Sequence, residues 1–137
     1  MYQSFILISS PQMCGQNKFE YQKHFIAISN KVLLESVDVL AINCDKTSDI
    51  PEKVFQIFAE YRKKQLTEDN LQTMTMIGVC HAWFQDNELL EVSDEMLKEL
   101  KNNGIDVKKE DCLYISIPDY VVKLARYSAK QILSRNN

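Results

Sequence analysis

Phe5-Ile6-Leu7-Ile8 places four large apolar side chains in succession within the segment Tyr2 to Ser9. Successive residues of a strand point to opposite faces, so this run needs apolar cover on both sides of a sheet. A chain carrying such a segment must lay other elements over two faces at once. That requirement points to a layered α/β arrangement.

The rest of the sequence alternates in keeping with it. Ser10 to Asn17, with Pro11 and Gly15, reads as a loop. From Lys18 to Ser36, Tyr21, Phe25, Ile28 and Val32, flanked by Ile26 and Leu33, fit one helical face; Phe19 to Phe25 can also be drawn as a strand. Val37 to Asn43 is a short apolar strand. Asp49 reads as the cap of a second helix, with Glu52 three residues on, Pro51 in the first turn, and a stripe of Val54, Ile57, Phe58 and Tyr61 that fades near Leu66.

Gln72 to Phe84 reads as the longest strand, because Thr73 to Val79 carries apolar groups on both faces. Asp86-Asn87 fits a hairpin turn into a short strand, Glu88 to Val92. Ser93 caps a third helix bearing Met96, Leu97 and Leu100, and Gly104 supplies its stop. Cys112 to Ile117 is the last strand. After Pro118, Asp119 to Arg135 is a helix with Val121, Leu124, Ala125, Ser128 and Ile132 expected inward.

The expected order is β-α-β-α-β-β-α-β-α, in one domain over residues 1–137. The fold class it predicts is α/β: a mixed, largely parallel sheet of about five strands with helices on both faces. The alternative is a ferredoxin-like α+β sheet, with two β-α-β halves packed together and the second helix inserted.

Composition limits function more than it defines it. With 45% hydrophobic residues, 26% charged residues and a net charge of −3, the chain is neither a disordered polymer nor a generally basic nucleic-acid binder. No segment approaches the roughly 20 apolar residues of a membrane span, and Met1 to Pro11 lacks a basic signal region. The expected location is the cytoplasm.

Cys14, Cys44, Cys80 and Cys112 are widely spaced and form no C-x-x-C pair, so neither a zinc ribbon nor a thioredoxin-like motif is present. No metal site and no cofactor are expected. In a largely parallel sheet, Cys14, Cys44, Asp45 and Asp119 would fall together beyond the strand ends, where ligands bind. A reactive thiolate there would need His24 or His81, the two histidines of the chain. Cys80 and His81, adjacent on an expected strand, would face opposite ways.

Leu97-Lys98-Glu99-Leu100, Gly104-Ile105, Lys108-Lys109-Glu110-Asp111 and Cys112 to Ile117 together resemble the helix-to-strand unit of the tautomerase superfamily, over about 20 residues. That family's chemistry uses a proline exposed after removal of the initiator methionine. Position 2 here is Tyr2, so the resemblance implies a β-α-β join without the activity.

Charge is distributed unevenly. Between Lys64 and Lys98 stand Glu68, Asp69, Asp86, Glu88, Glu91, Asp94 and Glu95, with no Lys or Arg. The last helix carries Lys123, Arg126, Lys130 and Arg135, with no acid after Asp119. Such charges commonly do no more than solvate a face or suit a helix end. As a functional signal, Asp86, Asn87, Glu88, Glu91, Asp94 and Glu95 form an acidic segment that can dock a basic partner.

The expectation that follows is a small cytoplasmic protein-binding module. Its most specific form is an immunity or inhibitor protein that neutralises a basic toxin such as a nuclease. Two alternatives stand beside it. One is a small α/β enzyme with a strand-end pocket around Cys14, Cys44 and Asp45. The other is a homo-oligomer in which the acidic stretch meets a neighbour's basic helix.

Overall fold

The computed structural model describes residues 2–15, 18–26, 35–63, 67–86 and 90–136. Strand β1 (Tyr2–Ser9) is central, as its apolar run requires, and none of Phe5, Ile6, Leu7 and Ile8 is more than 1% exposed. A one-turn helix, α1 (Pro11–Cys14), follows under a Ser10 cap, and Gly15 ends it at φ 55°. Strand β2 (Phe19–Ile26) then pairs antiparallel with β3 (Glu35–Ile42).

Strand β3 lies parallel to β1, with Ser4 opposite Val37 and Ser9 opposite Ile42. On its other side β1 pairs antiparallel with β4 (Cys112–Pro118), from Tyr2 opposite Pro118 to Ile8 opposite Cys112. The sheet order is β2-β3-β1-β4. Among the described residues the sheet therefore has four strands, not five. It is mixed and mostly antiparallel, not largely parallel. The ferredoxin-like alternative also fails, because β2 runs antiparallel to β1 and β4 antiparallel to β3, so neither β-α-β half, whose two strands must be parallel, is built.

Helix α2 (Ile50–Lys63) follows a 3-10 turn at Thr47–Asp49, close to the boundary that Asp49 and Pro51 predict. Helix α3 (Leu71–Asp86) stands in place of the strand expected over Gln72 to Phe84. Met76, Ile77, Val79 and Cys80 of α3 are all buried, in one cluster with residues of α2, the sheet and α5 (Asp119–Asn136). A helix covered from several directions carries apolar residues all round, and its sequence then lacks a 3.6-residue stripe. That removed the signal separating it from a strand buried on both faces.

Of the two readings of Lys18 to Ser36, the strand drawn over Phe19 to Phe25 holds, at Phe19–Ile26, and the helix does not; the chain is strand again from Glu35 onward. The middle of that segment, with Ile28, Val32 and Leu33, lies outside the described residues. So do Asn87 and Glu88. Asp86 ends a helix, so it cannot turn a hairpin, and residues 90–92 make only an isolated bridge, Leu90 to Tyr114, beside β4.

Helix α4 (Asp94–Asn102) begins as predicted, with the Ser93 hydroxyl accepting the Met96 N–H at 3.2 Å, and Gly104 follows it at φ 86°. Val92, Met96 and Leu100 cover one sheet face, against Ile6, Ile8, Val37 and Val39. Helices α2, α3 and α5 cover the other, against Phe5, Leu7, Leu40, Ile42, Ile115 and Ile117. Helices thus lie on both faces, as the alternation of Phe5 to Ile8 demands.

Candidate functional site

The antiparallel course of β4 separates the expected strand-end cluster. Cys14, Cys44 and Asp45 follow the carboxyl ends of β1 and β3, whereas Asp119 follows Pro118, which pairs with Tyr2 at the opposite end of the sheet. Cys14 is buried and its thiol donates to the Ala41 carbonyl at 3.4 Å; Cys44 is buried and donates to the Lys46 carbonyl at 3.5 Å. Burial raises both thiol pKa values, helped by Glu20 at Cys14 and Asp49 at Cys44. Both shifts disfavour the thiolate.

A cleft of about 270 Å³ does open near these strand ends. Lys18, Asn43, Lys53, Gln56, Ile57 and Glu60 line it, and neither cysteine does. Lys18 is paired there with Glu60. The His24 side chain lies outside the described residues. His81 sits on α3, not on a strand, its ring stacked on Phe58 at 4.9 Å and tilted against Phe55 at 5.2 Å. The neighbouring Cys80 is fully buried, and burial, with Asp38 nearby, raises its pKa as well. Among the described residues no group of three or more His, Cys, Asp or Glu could hold a metal ion.

The acidic segment is spread over two elements. Asp86 closes α3, while Glu91, Asp94 and Glu95 are exposed around the start of α4, where Asp94 and Glu95 suit the positive end of the helix. Lys109 reaches the Asp94 carboxylate at 3.4 Å. Leu90, 47% exposed, stands next to Glu91. Lys98 and Lys101 follow on the same helix, so this surface is acidic at one end only.

Helix α5 differs most from expectation. Val122 and Ala129 are its buried residues, with Val121, Ala125 and Leu133 half-buried, whereas Leu124 and Ile132, expected inward, are 61% and 50% exposed. Tyr120 and Tyr127 are 67% and 63% exposed. Positions 120, 124 and 127 are i, i+4 and i+7, so Tyr120, Leu124 and Tyr127 share one outward face. Lys123, Arg126 and Lys130, also at i, i+3 and i+7, run along one side of it.

A second feature escaped the sequence reading. Asp38, in the apolar run Val37 to Ile42, is fully buried on the face covered by α3. Tyr21 Oη donates to one carboxyl oxygen and Gln3 Nε2 to the other. Gln72 of α3 donates to Tyr21 Oη at 3.5 Å. The Tyr21 pKa is raised by burial first and by its bond to Asp38 second, and Arg126 opposes the shift. A single acid inside a strand apolar on both faces is the signal that could have found this network.

The chain matches no family model, no curated protein and no solved structure. Among the described residues no helix is long and apolar enough to cross a membrane.

Proposed function

We propose that this chain is a protein-binding module whose docking surface is the outer face of α5. The observation that carries the reading is the row Tyr120, Leu124 and Tyr127, each more than 60% exposed on a helix whose opposite side is buried in the core. Contiguous exposed apolar surface costs solubility, and tyrosines that present an apolar ring with a polar tip are enriched at interfaces. The occupant that fits is an amphipathic helix of another protein with an acidic flank beside Lys123. A second copy fits poorly. In a two-fold antiparallel pair centred on Leu124, like flanks meet, so the basic row would face itself.

The acidic start of α4 supports a second reading, docking of a basic partner such as a toxic nuclease. Its support is the exposure of Glu91, Asp94 and Glu95 beside exposed Leu90. A cytoplasmic setting belongs to the same proposal, and four unpaired cysteines favour a reducing compartment.

Photocrosslinking in the source cells, from a photoreactive residue at position 124 or at position 91, separates the two. The α5 reading expects one discrete heavier species from position 124, lost in Tyr127→Ser and weakened by Lys123→Glu. A product only from position 91, lost in Glu95→Lys, favours the acidic surface. A product of twice the chain mass replaces both with self-association. No product from either position overturns both.

A further inference from the structure

A cleft of about 450 Å³ opens between the start of α3 and the second half of α5, lined by Glu68, Leu71, Gln72, Thr75, Arg126 and Lys130. Arg126 is half-buried, and among the described residues neither Arg126 nor Lys130 forms an ion pair. Withdrawing a cation from water is costly unless an anion or strong acceptors replace the lost hydration. Asp38, the buried acid that shares Tyr21 with Arg126, is already engaged, accepting from Gln3 and Tyr21. Gln72, which lines the cleft, bonds to Tyr21 and so ties the floor to that network. Thr75 is 4% exposed and donates to the Leu71 carbonyl at 2.7 Å, fixing its hydroxyl oxygen at the wall. The lining holds two cations and one acid, Glu68, and among the described residues neither cation is ion-paired.

We propose that this cleft binds a small molecule bearing a phosphate or carboxylate, with the oxyanion held by Arg126 and Lys130. The guanidinium presents a planar fork of donors to two oxygens, and the ammonium adds a mobile point charge one helical turn further on. Gln72 and Thr75 offer polar groups to the remainder of the ligand. The site takes Arg126 and Lys130 from the basic flank of the outward row Tyr120, Leu124 and Tyr127, but does not use that row or need a protein partner.

The test titrates the full chain with inorganic phosphate and, separately, with succinate. Binding is followed by calorimetry and by the amide resonances of Gln72, Thr75 and Arg126. The expected result is saturable shifts at these positions. Affinity should fall by about tenfold or more in Arg126→Gln, as the loss of a charge-assisted pair implies. Lys123→Gln, on the same helix and outside the lining, should leave it unchanged. Saturation by phosphate alone assigns a phosphorylated ligand, and saturation by succinate alone a carboxylate. No saturable shift with either anion overturns the site. An equal loss in Lys123→Gln and Arg126→Gln overturns it too, because it would mark diffuse attraction to a basic helix.

Discussion

The Tyr21 hydroxyl donates to the Asp38 carboxyl group across the β2–β3 pair, inside the cluster formed by the sheet with α2, α3 and α5. Both side chains come from strands, and Gln3 of β1 completes the set. Three strands are thereby joined by side chains as well as by backbone. A buried acid that loses a donor keeps its full desolvation cost. Tyr21→Phe should therefore destabilise the fold by about 1–3 kcal/mol, more than the loss of one hydroxyl at a surface. Urea denaturation of Tyr21→Phe, Asp38→Asn and the double variant should give clearly non-additive losses; additive losses would mean the pair is not coupled.

Ser93 is the start signal for α4 and is used as one, its hydroxyl accepting the Met96 N–H. Ser93→Ala should cost about 1 kcal/mol and Ser93→Gly less, read as shifts in denaturation midpoint without a change in slope. Equal stability of all three proteins would show that the Asp94 and Glu95 charges hold this helix end without the cap.

The thiols give a prediction with a definite sign. Burial, aided by Asp111, pushes the Cys112 pKa up to about 12. An unfolded thiol titrates near about 8.5. Between these values the native state keeps a proton that the unfolded state loses. This contribution to stability is therefore fully present below about pH 8.5 and is lost as pH rises towards about 12. Denaturation midpoints should fall across that range, and less steeply in Cys112→Ala. At neutral pH a thiol reagent should modify all four cysteines slowly in the native protein and rapidly once it is unfolded. A fast native reaction at Cys14 or Cys44 would revive the enzyme alternative.

Gly78 of α3 packs against the Phe58 ring of α2. A Cβ placed there would stand 3.2 Å from the Phe58 ring, which stacks on His81. Alanine gains up to about 1 kcal/mol of helix propensity but pushes that ring, so Gly78→Ala should be close to neutral. Gly78→Leu has no such room and should cost about 1–3 kcal/mol. Thermal unfolding of the two variants decides it; a stabilised Gly78→Leu would mean that the helices part easily.

The sequence was informative where one local rule governs an element. Phe5 to Ile8 demanded a strand covered on both faces, and Ser93 with Gly104 marked the limits of α4. The boundary near Asp49 and the helix after Pro118 followed from similar signals. It misled where tertiary burial overrides local pattern. In α3, Thr73 to Val79 is rich in residues that suit strands, yet its neighbours on several sides stabilise a helix. In β2, Phe19 to Phe25 fits a strand as well as a helical period, and only pairing with β3 decides between them. The direction of β4 was not legible, because pairing sense depends on the path of the chain between strands. Once β4 ran antiparallel, Asp119 left the end where Cys14 and Cys44 lie. On α5 the expected inward set includes Leu124 and omits Val122, whereas Val122 is buried and Leu124 faces out between Tyr120 and Tyr127.

The register of β1 against β4 also sets the order of events during synthesis. Tyr2 pairs with Pro118 and Phe5 with Ile115, so β1 is made about a hundred residues ahead of the strand that pairs along one of its edges. Until then β1 has β3 on one edge only, and its other edge is a template for strand addition by any nascent neighbour. Until β4 is made, that edge of β1 is open to wrong pairing, and cover over Phe5 to Ile8 during translation would protect it.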